Sequence, residues 1–285
     1  LAFRAGALNI GAEGQILAGA AAGVAVGLRL GASPPIVAIP ATLAAGCAGG
    51  AAAAGIAAAL RRWRRVPEVL STILLNFVLL EVVSWLVRGP LQEAGRAYPQ
   101  SDPIAAAAML PRLLPPSRLH AGFLVALAAA AAMTIFLFRT AAGFRVRAVG
   151  LGPRASALAG FRPERVVALA LVASGALAGL AGSVEVAGLT GRLYGDLSGG
   201  TGYVAIAVAL LARLHPLGAI AAAIGFGALE SGAAHMQRVA GVSAALAHAI
   251  EALALAAVLA ADHLAQRRVP VQEEPAAAVA GAATP

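Results

Sequence analysis

Long apolar runs recur along this chain, at 12–31, 38–60, 69–88, 119–138, 166–186, 202–214, 216–235 and 243–262. A helix needs about 20 mainly apolar residues to cross the hydrocarbon of a bilayer. The sequence therefore predicts an all-α fold, a polytopic integral membrane helical bundle of about eight spans or half-spans. With 60% hydrophobic and 12% charged residues and a mean hydropathy of +0.84, a water-soluble domain is excluded. The run 202–214 is too short to cross. At 1.5 Å per residue it covers about 20 Å of a core about 30 Å thick, so it is expected as a half-helix packed inside protein. The preceding GLTGRLYGDLSGG is irregular at membrane depth, which is tolerated only where backbone is shielded from lipid or lines a cavity.

All 21 basic residues are arginine. Without lysine there is no Walker A phosphate loop and no lysine Schiff base. The lone Cys47 rules out an intrachain disulfide, a CxxC pair or a cysteine-rich zinc site. A net charge of +8 could suggest nucleic acid, but the arginines sit between apolar runs, so topology explains them and no nucleic-acid partner is expected. If Arg61, Arg62, Arg64 and Arg65 face the cytoplasm, alternate crossings put fourteen arginines there and seven outside, as the positive-inside rule expects. Residues 1–262 are then a transmembrane domain, with an extracellular loop at 89–118 and a cytoplasmic loop at 139–165. The tail 263–285 has no apolar periodicity and is expected to be a disordered cytoplasmic segment. The chain opens on LAFRAG at Leu1 without a recognisable signal peptide, and reads as truncated at this end.

No catalytic constellation is found. GxSxG and HExxH are missing, and the five histidines are scattered over different segments. Neither a catalytic residue nor a metal site is expected, and the chain is read as a non-enzyme. Polar groups at membrane depth are more informative, because each is costly there and faces a cavity or a partner. Asn9, Glu13 and Gln15 cluster in LNIGAEGQ, Thr72 and Asn76 share a helix face by their i, i+4 spacing, and Glu185 lies near a helix end. They either hydrogen-bond between helices or line a pathway. Gly19, Gly23 and Gly27, and likewise Gly175 and Gly179, recur every four residues and predict close helix packing. In FRVRAVGLGPRASALAGFRPER a short helix is expected from Pro153 through Ala159, with Gly150 and Gly160 as breaks. It would be either a docking element or part of an ordinary arginine-rich loop.

Four ordered blocks carry a resemblance: LAFRAGALNIGAEGQILAGA, VPEVLSTILLNFVLLEVVSWLVRGPLQEAG, FRVRAVGLGPRASALAGF and GSVEVAGLTGRLYGDLSGGTGYVAIAVALLARLHPLGA. The chain resembles, over about 1–262, the permeases of bacterial ABC importers for nucleosides and simple sugars, within the group that includes ribose and branched-chain amino-acid permeases. The resemblance implies a multi-pass protein of the bacterial plasma membrane, in contact with membrane lipid, that passes a nucleoside or simple sugar inward. It implies ABC ATPase subunits, a second homologous permease and an extracytoplasmic substrate-binding (lipo)protein as partners. No cofactor is expected in this chain, with ATP and Mg bound by the ATPase. It places the coupling role on Arg147, Gly150, Pro153, Arg154, Ala155, Ala159 and Gly160. It makes the NIGAEGQ and LNF segments central helices, with Asn9, Glu13, Gln15, Thr72, Asn76 and Glu185 as pathway candidates. It also implies a first span and most of a second before Leu1. The competing expectation is a proton-coupled secondary transporter using Glu13, Glu81, Glu185 or Glu251.

Overall fold

The computed structural model describes residues 1–240 together with Ala249 and Leu253. Among these residues there are nine α-helices and no strand. They are α1 (Ala12–Gly27), α2 (Pro35–Arg64), α3 (Glu68–Arg88), α4 (Gly122–Arg139), α5 (Ala141–Leu151), α6 (Pro153–Leu158), α7 (Pro163–Glu185), α8 (Thr201–Leu211) and α9 (Pro216–Ala240). The chain forms two units, Leu1–Gly225 and Phe226–Pro285, and of the second the described part is chiefly the C-terminal half of α9. Among the described residues five helices are long and apolar enough to cross a membrane: α2, α3, α4, α7 with its continuation to Thr190, and α9. The expected span 243–262 and tail 263–285 lie outside the described residues.

Proline and glycine set many of the boundaries. Pro35, Pro153 and Pro163 open α2, α6 and α7 at positions where an N–H would have no intrahelical partner anyway. After Leu158 the chain turns at Gly160, φ +83°; Gly160 N–H donates to the Ala157 carbonyl and Phe161 N–H to that of Ser156. This is the left-handed helix stop that glycine favours.

The centre of the first unit is a three-helix contact of α1, α2 and α7, built on backbone rather than side chains. A Cβ on Gly19 would strike the backbone of Gly179, one on Gly50 the carbonyl of Gly175, and one on Gly182 the carbonyl of Ile16. Small residues at such crossings let helices gain dispersion and packing where lipid supplies no hydrophobic drive. Within this chain α3 packs against α1 and α2 by one face. It buries Ser71, Thr72, Asn76, Val83 and Val87, while Leu74, Phe77, Val78, Glu81 and Trp85 are among its exposed residues and others are half-buried.

One end of the bundle, the end expected to face outward, is closed by the 89–118 loop. Ala105 N–H donates to the carbonyl of Gly27, the last residue of α1, and Leu110 N–H to Ala187 in the wide π turn Val186–Thr190 that ends α7. The loop thus satisfies carbonyls that helix ends leave without partners. Ser101 N–H donates to Leu193 O while Leu193 N–H donates to Ser101 Oγ, and Ile104 N–H donates to Gly191 O. Beside this seam the Glu93 carboxylate accepts from Gln100 Nε2 at 2.8 Å, Tyr98 N–H at 3.0 Å and Arg192 Nη1 at 2.9 Å. The Gln100 amide first, then the Tyr98 N–H and the Arg192 guanidinium, hold its carboxyl below the usual glutamate range.

At the other end Arg62, Arg154, Arg162 and Arg165 line one cavity. Arg4 donates from Nε to Leu214 O and from Nη2 to Arg213 O, and the Arg61–Glu68 ion pair at 2.7 Å joins α2 to α3. Here the structure corrects one expectation. Gly150 is not a break but an interior residue of α5, a helix the sequence reading did not foresee; the break is at Gly152. Gly150 is needed for another reason, since a Cβ there would strike the Arg4 carbonyl.

Candidate functional site

Between the two ends lies a buried polar junction of α1, α3, α7 and α8. Asn9 and Gln15 exchange side-chain hydrogen bonds, Asn9 Nδ2 to Gln15 Oε1 at 2.9 Å and Gln15 Nε2 to Asn9 Oδ1 at 3.0 Å. Asn9 Nδ2 also reaches Ser174 Oγ on α7 at 3.1 Å, and Asn9 Oδ1 accepts from Gly11 N–H. Asn76 Oδ1 accepts from Gly14 N–H at 2.9 Å, while its Nδ2 donates to Ile10 O at 2.9 Å and to Tyr203 Oη at 3.2 Å. Thr72 Oγ1 donates to Glu68 O at 2.7 Å and accepts from Ile10 N–H. Asn9, Gln15, Thr72 and Asn76 are all buried. Their amides and hydroxyl tie the irregular segment before α1 to α3 and α7, as groups at this depth must be tied.

Glu13 has a different task. Its Oε1 accepts from Ser198 Oγ at 2.5 Å and Gly200 N–H at 2.8 Å, and its Oε2 from Gly202 N–H at 2.7 Å. α8 is the short helix foreseen at 202–214, about 16 Å long. Its C-terminal end reaches the Arg4 level, so its N-terminus lies inside the membrane thickness. There the carboxylate of α1 meets N–H groups that carry the positive end of the helix dipole. Gly200, at φ +87°, turns the chain into the helix, and a Cβ on Gly202 would strike the backbone of Glu13.

Glu185 lies apart from this junction. It is half-buried at the outer end of α7, where its electrostatic neighbours are His120 and Tyr194. The junction residues missing from the sequence reading are Ser174, Ser198 and Tyr203. Ser198 and Tyr203 flank a conspicuous glycine pair; Ser174 carries no comparable signal.

The second candidate region is the α5–α6 corner. Thr140 caps α5, its Oγ1 accepting from Gly143 N–H at 3.0 Å. Arg147 turns back onto the bundle, its guanidinium carbon 5.2 Å from the Phe138 ring, which also stacks on His215 at 5.2 Å. Pro153, Arg154, Ala155 and Ala159 are exposed along α6 and its end, and Gly160 closes it. Leu151 and Leu158 flank them at 91% and 92% exposure, two side chains the sequence reading passed over although leucine is conspicuous in an arginine-rich loop. A cavity of about 560 Å³ opens beside them, lined by Arg62, Arg154, Phe161, Arg162, Glu164 and Arg165 among others.

A multi-pass bundle with a short helix inside and a short exposed helix beside an arginine-lined cavity fits a membrane transport subunit. Residues 1–260 match the family of the permease component of the branched-chain amino acid transport system, and the chain belongs to that family. It is 37% identical to the glucose ABC transporter permease protein TsgB13 of Haloferax volcanii, over 94% of this chain and 73% of that one. It is 34% identical to the guanosine ABC transporter permease protein NupP of Bacillus subtilis, over 85% and 70%. To the nucleoside ABC transporter permease protein NupB of Lactococcus lactis it is 32% identical, over 83% and 67%. No solved structure matches the chain. The protein is thus a membrane permease of an ABC transporter, a transport component and not an enzyme. Permeases of this class act with ATP-hydrolysing and solute-binding partners.

Proposed function

We propose that this chain conducts a nucleoside inward, received from an extracytoplasmic binding protein and released by closure of a separate ATPase. The observation that carries the coupling half of this reading is α6. It is bounded by Gly152 and Gly160 and presents Leu151 and Leu158 to solvent beside Arg154 at the arginine-rich end. An apolar pair within a basic rim is suited to a groove on another protein. Pro153, Arg154, Ala155 and Ala159 belong to that surface, while Arg147, Gly150 and Gly160 set its position. In this reading ATP and magnesium are bound by the partner, this chain holds no cofactor of its own, and a second homologous permease completes the conduit.

The junction supports a neutral solute. Its side chains are amides, hydroxyls and a carboxylate engaged with N–H donors, and none is basic. Asn9, Glu13, Gln15, Thr72 and Asn76 serve the pathway by holding α1, α3 and α8, the helices that frame it, in register; Glu185 stands nearer its outer mouth. Nucleosides are favoured by the likeness to the guanosine and nucleoside permeases; a simple sugar is the second reading, favoured by the 37% identity to the glucose permease. The test is uptake of labelled guanosine, adenosine, ribose and glucose into proteoliposomes holding this chain with its partner permease, ATPase and binding protein. Nucleoside uptake that requires ATP is expected. ATP-independent uptake collapsed by an uncoupler would overturn the reading in favour of a carboxylate-driven carrier.

A further inference from the structure

α3 carries a carboxylate where lipid cannot be its neighbour. Glu81 lies seven residues before Arg88 at the outer end of the helix, about 10 Å inside that boundary. A glutamate side chain is too short to bring its charge back to the interface as a long arginine or lysine does. Yet Glu81 is exposed on this chain, with no hydrogen bond or ion pair to any described residue. One turn to either side on the same face are Phe77 and Trp85, 60% and 63% exposed, while Asn76, Val83 and Val87 hold the opposite face in the bundle. Tyr203 also reaches the surface, 45% exposed, with its hydroxyl held by the Asn76 amide.

A membrane-depth carboxylate that is exposed and has no partner among the described residues faces something other than lipid, because facing lipid is costly. We propose that Glu81, Phe77 and Trp85 form a solute-contacting wall of the water-filled conduit, on the side of α3 away from the bundle. The ligand this wall takes is neutral and ring-shaped, with hydroxyl or N–H donors. The aromatic faces stack on or cover the ring, the carboxylate accepts from the donors, and the same carboxylate repels phosphorylated solutes. This inference rests on the permease reading above and adds to it the residue that meets the solute.

The test uses the assembled transporter with Cys47→Ser, which removes the chain's own cysteine, and single cysteines at 77, 81 and 85. A membrane-impermeant thiol reagent is applied to right-side-out and inside-out vesicles. Labelling at 81 from at least one side, slowed by guanosine or glucose, is the expected result, with Leu124→Cys on the charge-free stretch of α4 as the lipid-side control. In parallel Glu81→Leu is expected to lower uptake about tenfold, the loss of one hydrogen bond to solute, with assembly unchanged and with Glu81→Gln retaining most uptake. No labelling at 81 from either side, or full uptake by Glu81→Leu, would overturn the inference, since leucine improves a lipid-facing position. If the unsubstituted complex imports neither solute, the proposed substrate class fails, while labelling at 81 still reports whether this face is wet.

Discussion

Replacing Glu13 removes the acceptor that three donors share, Ser198 Oγ, Gly200 N–H and Gly202 N–H. In Glu13→Ala the two backbone N–H groups are left without an acceptor, each costing about 1–3 kcal/mol. Glu13 is itself half-buried, so water replaces part of what is lost. About 4 kcal/mol for the pair follows, a factor of about a thousand in local opening. Glu13→Gln can keep its carbonyl oxygen on Ser198 and Gly200, but then turns an amide N–H₂ toward the Gly202 N–H. It should cost about half as much, a factor of about thirty. Hydrogen exchange of the 198–203 amides, read by mass spectrometry on the protein in lipid nanodiscs, measures both factors. The remote amides of α2 serve as the reference. Exchange in Glu13→Ala within about threefold of the unsubstituted protein would refute the view that this carboxylate secures the start of α8. So would an alanine variant less perturbed than the glutamine one.

Leu158→Asp is expected to leave the bundle within about 0.5 kcal/mol of its original stability, because the side chain is 92% exposed, yet to abolish copurification of the ATPase; unchanged copurification would count against the α6 docking surface. Glu93 makes the outer loop pH-sensitive. Its carboxyl is held below the ordinary glutamate value of about 4.3, so its contribution is present above that value and is lost as pH falls through the lower folded pKa. Proteolytic nicking between 93 and 100 should therefore rise steeply below about pH 4, and in Glu93→Gln it should be already raised at pH 6 and flatter with pH.

Much of this architecture is legible in the sequence because bilayer thickness converts directly into run length. The half-helix at α8 was visible from its 13-residue run alone, and Thr72 with Asn76 from their i, i+4 spacing. Gly19, Gly175 and Gly179 stood out as four-residue repeats, but Gly50 and Gly182 did not, nor did the pairing: Gly19 meets Gly179 and Gly50 meets Gly175 across long sequence separations. Glu13 illustrates the same limit. Its type and depth were evident, but its partners lie 185 to 189 residues away, and no local pattern pairs them. Gly150 shows a different limit. A glycine required by a neighbouring backbone and one required by a helix stop look alike in sequence, and only the approach of Arg4 separates them. The exposure of the α3 face depends on what packs against it, which hydropathy does not encode.

The outer loop has a consequence for how such a chain can change over evolutionary time. Residues 101–110 close the ends of α1 and α7, so an insertion there would uncap two helices at once irrespective of solute. From 111 to 119 the backbone bonds chiefly to itself, with Leu113 N–H donating to Leu119 O and Ala121 N–H to Pro111 O closing a separate small loop. Length drift, tags and reporter insertions at the outer face are therefore channelled into this stretch, which can lengthen without altering the closure beneath it.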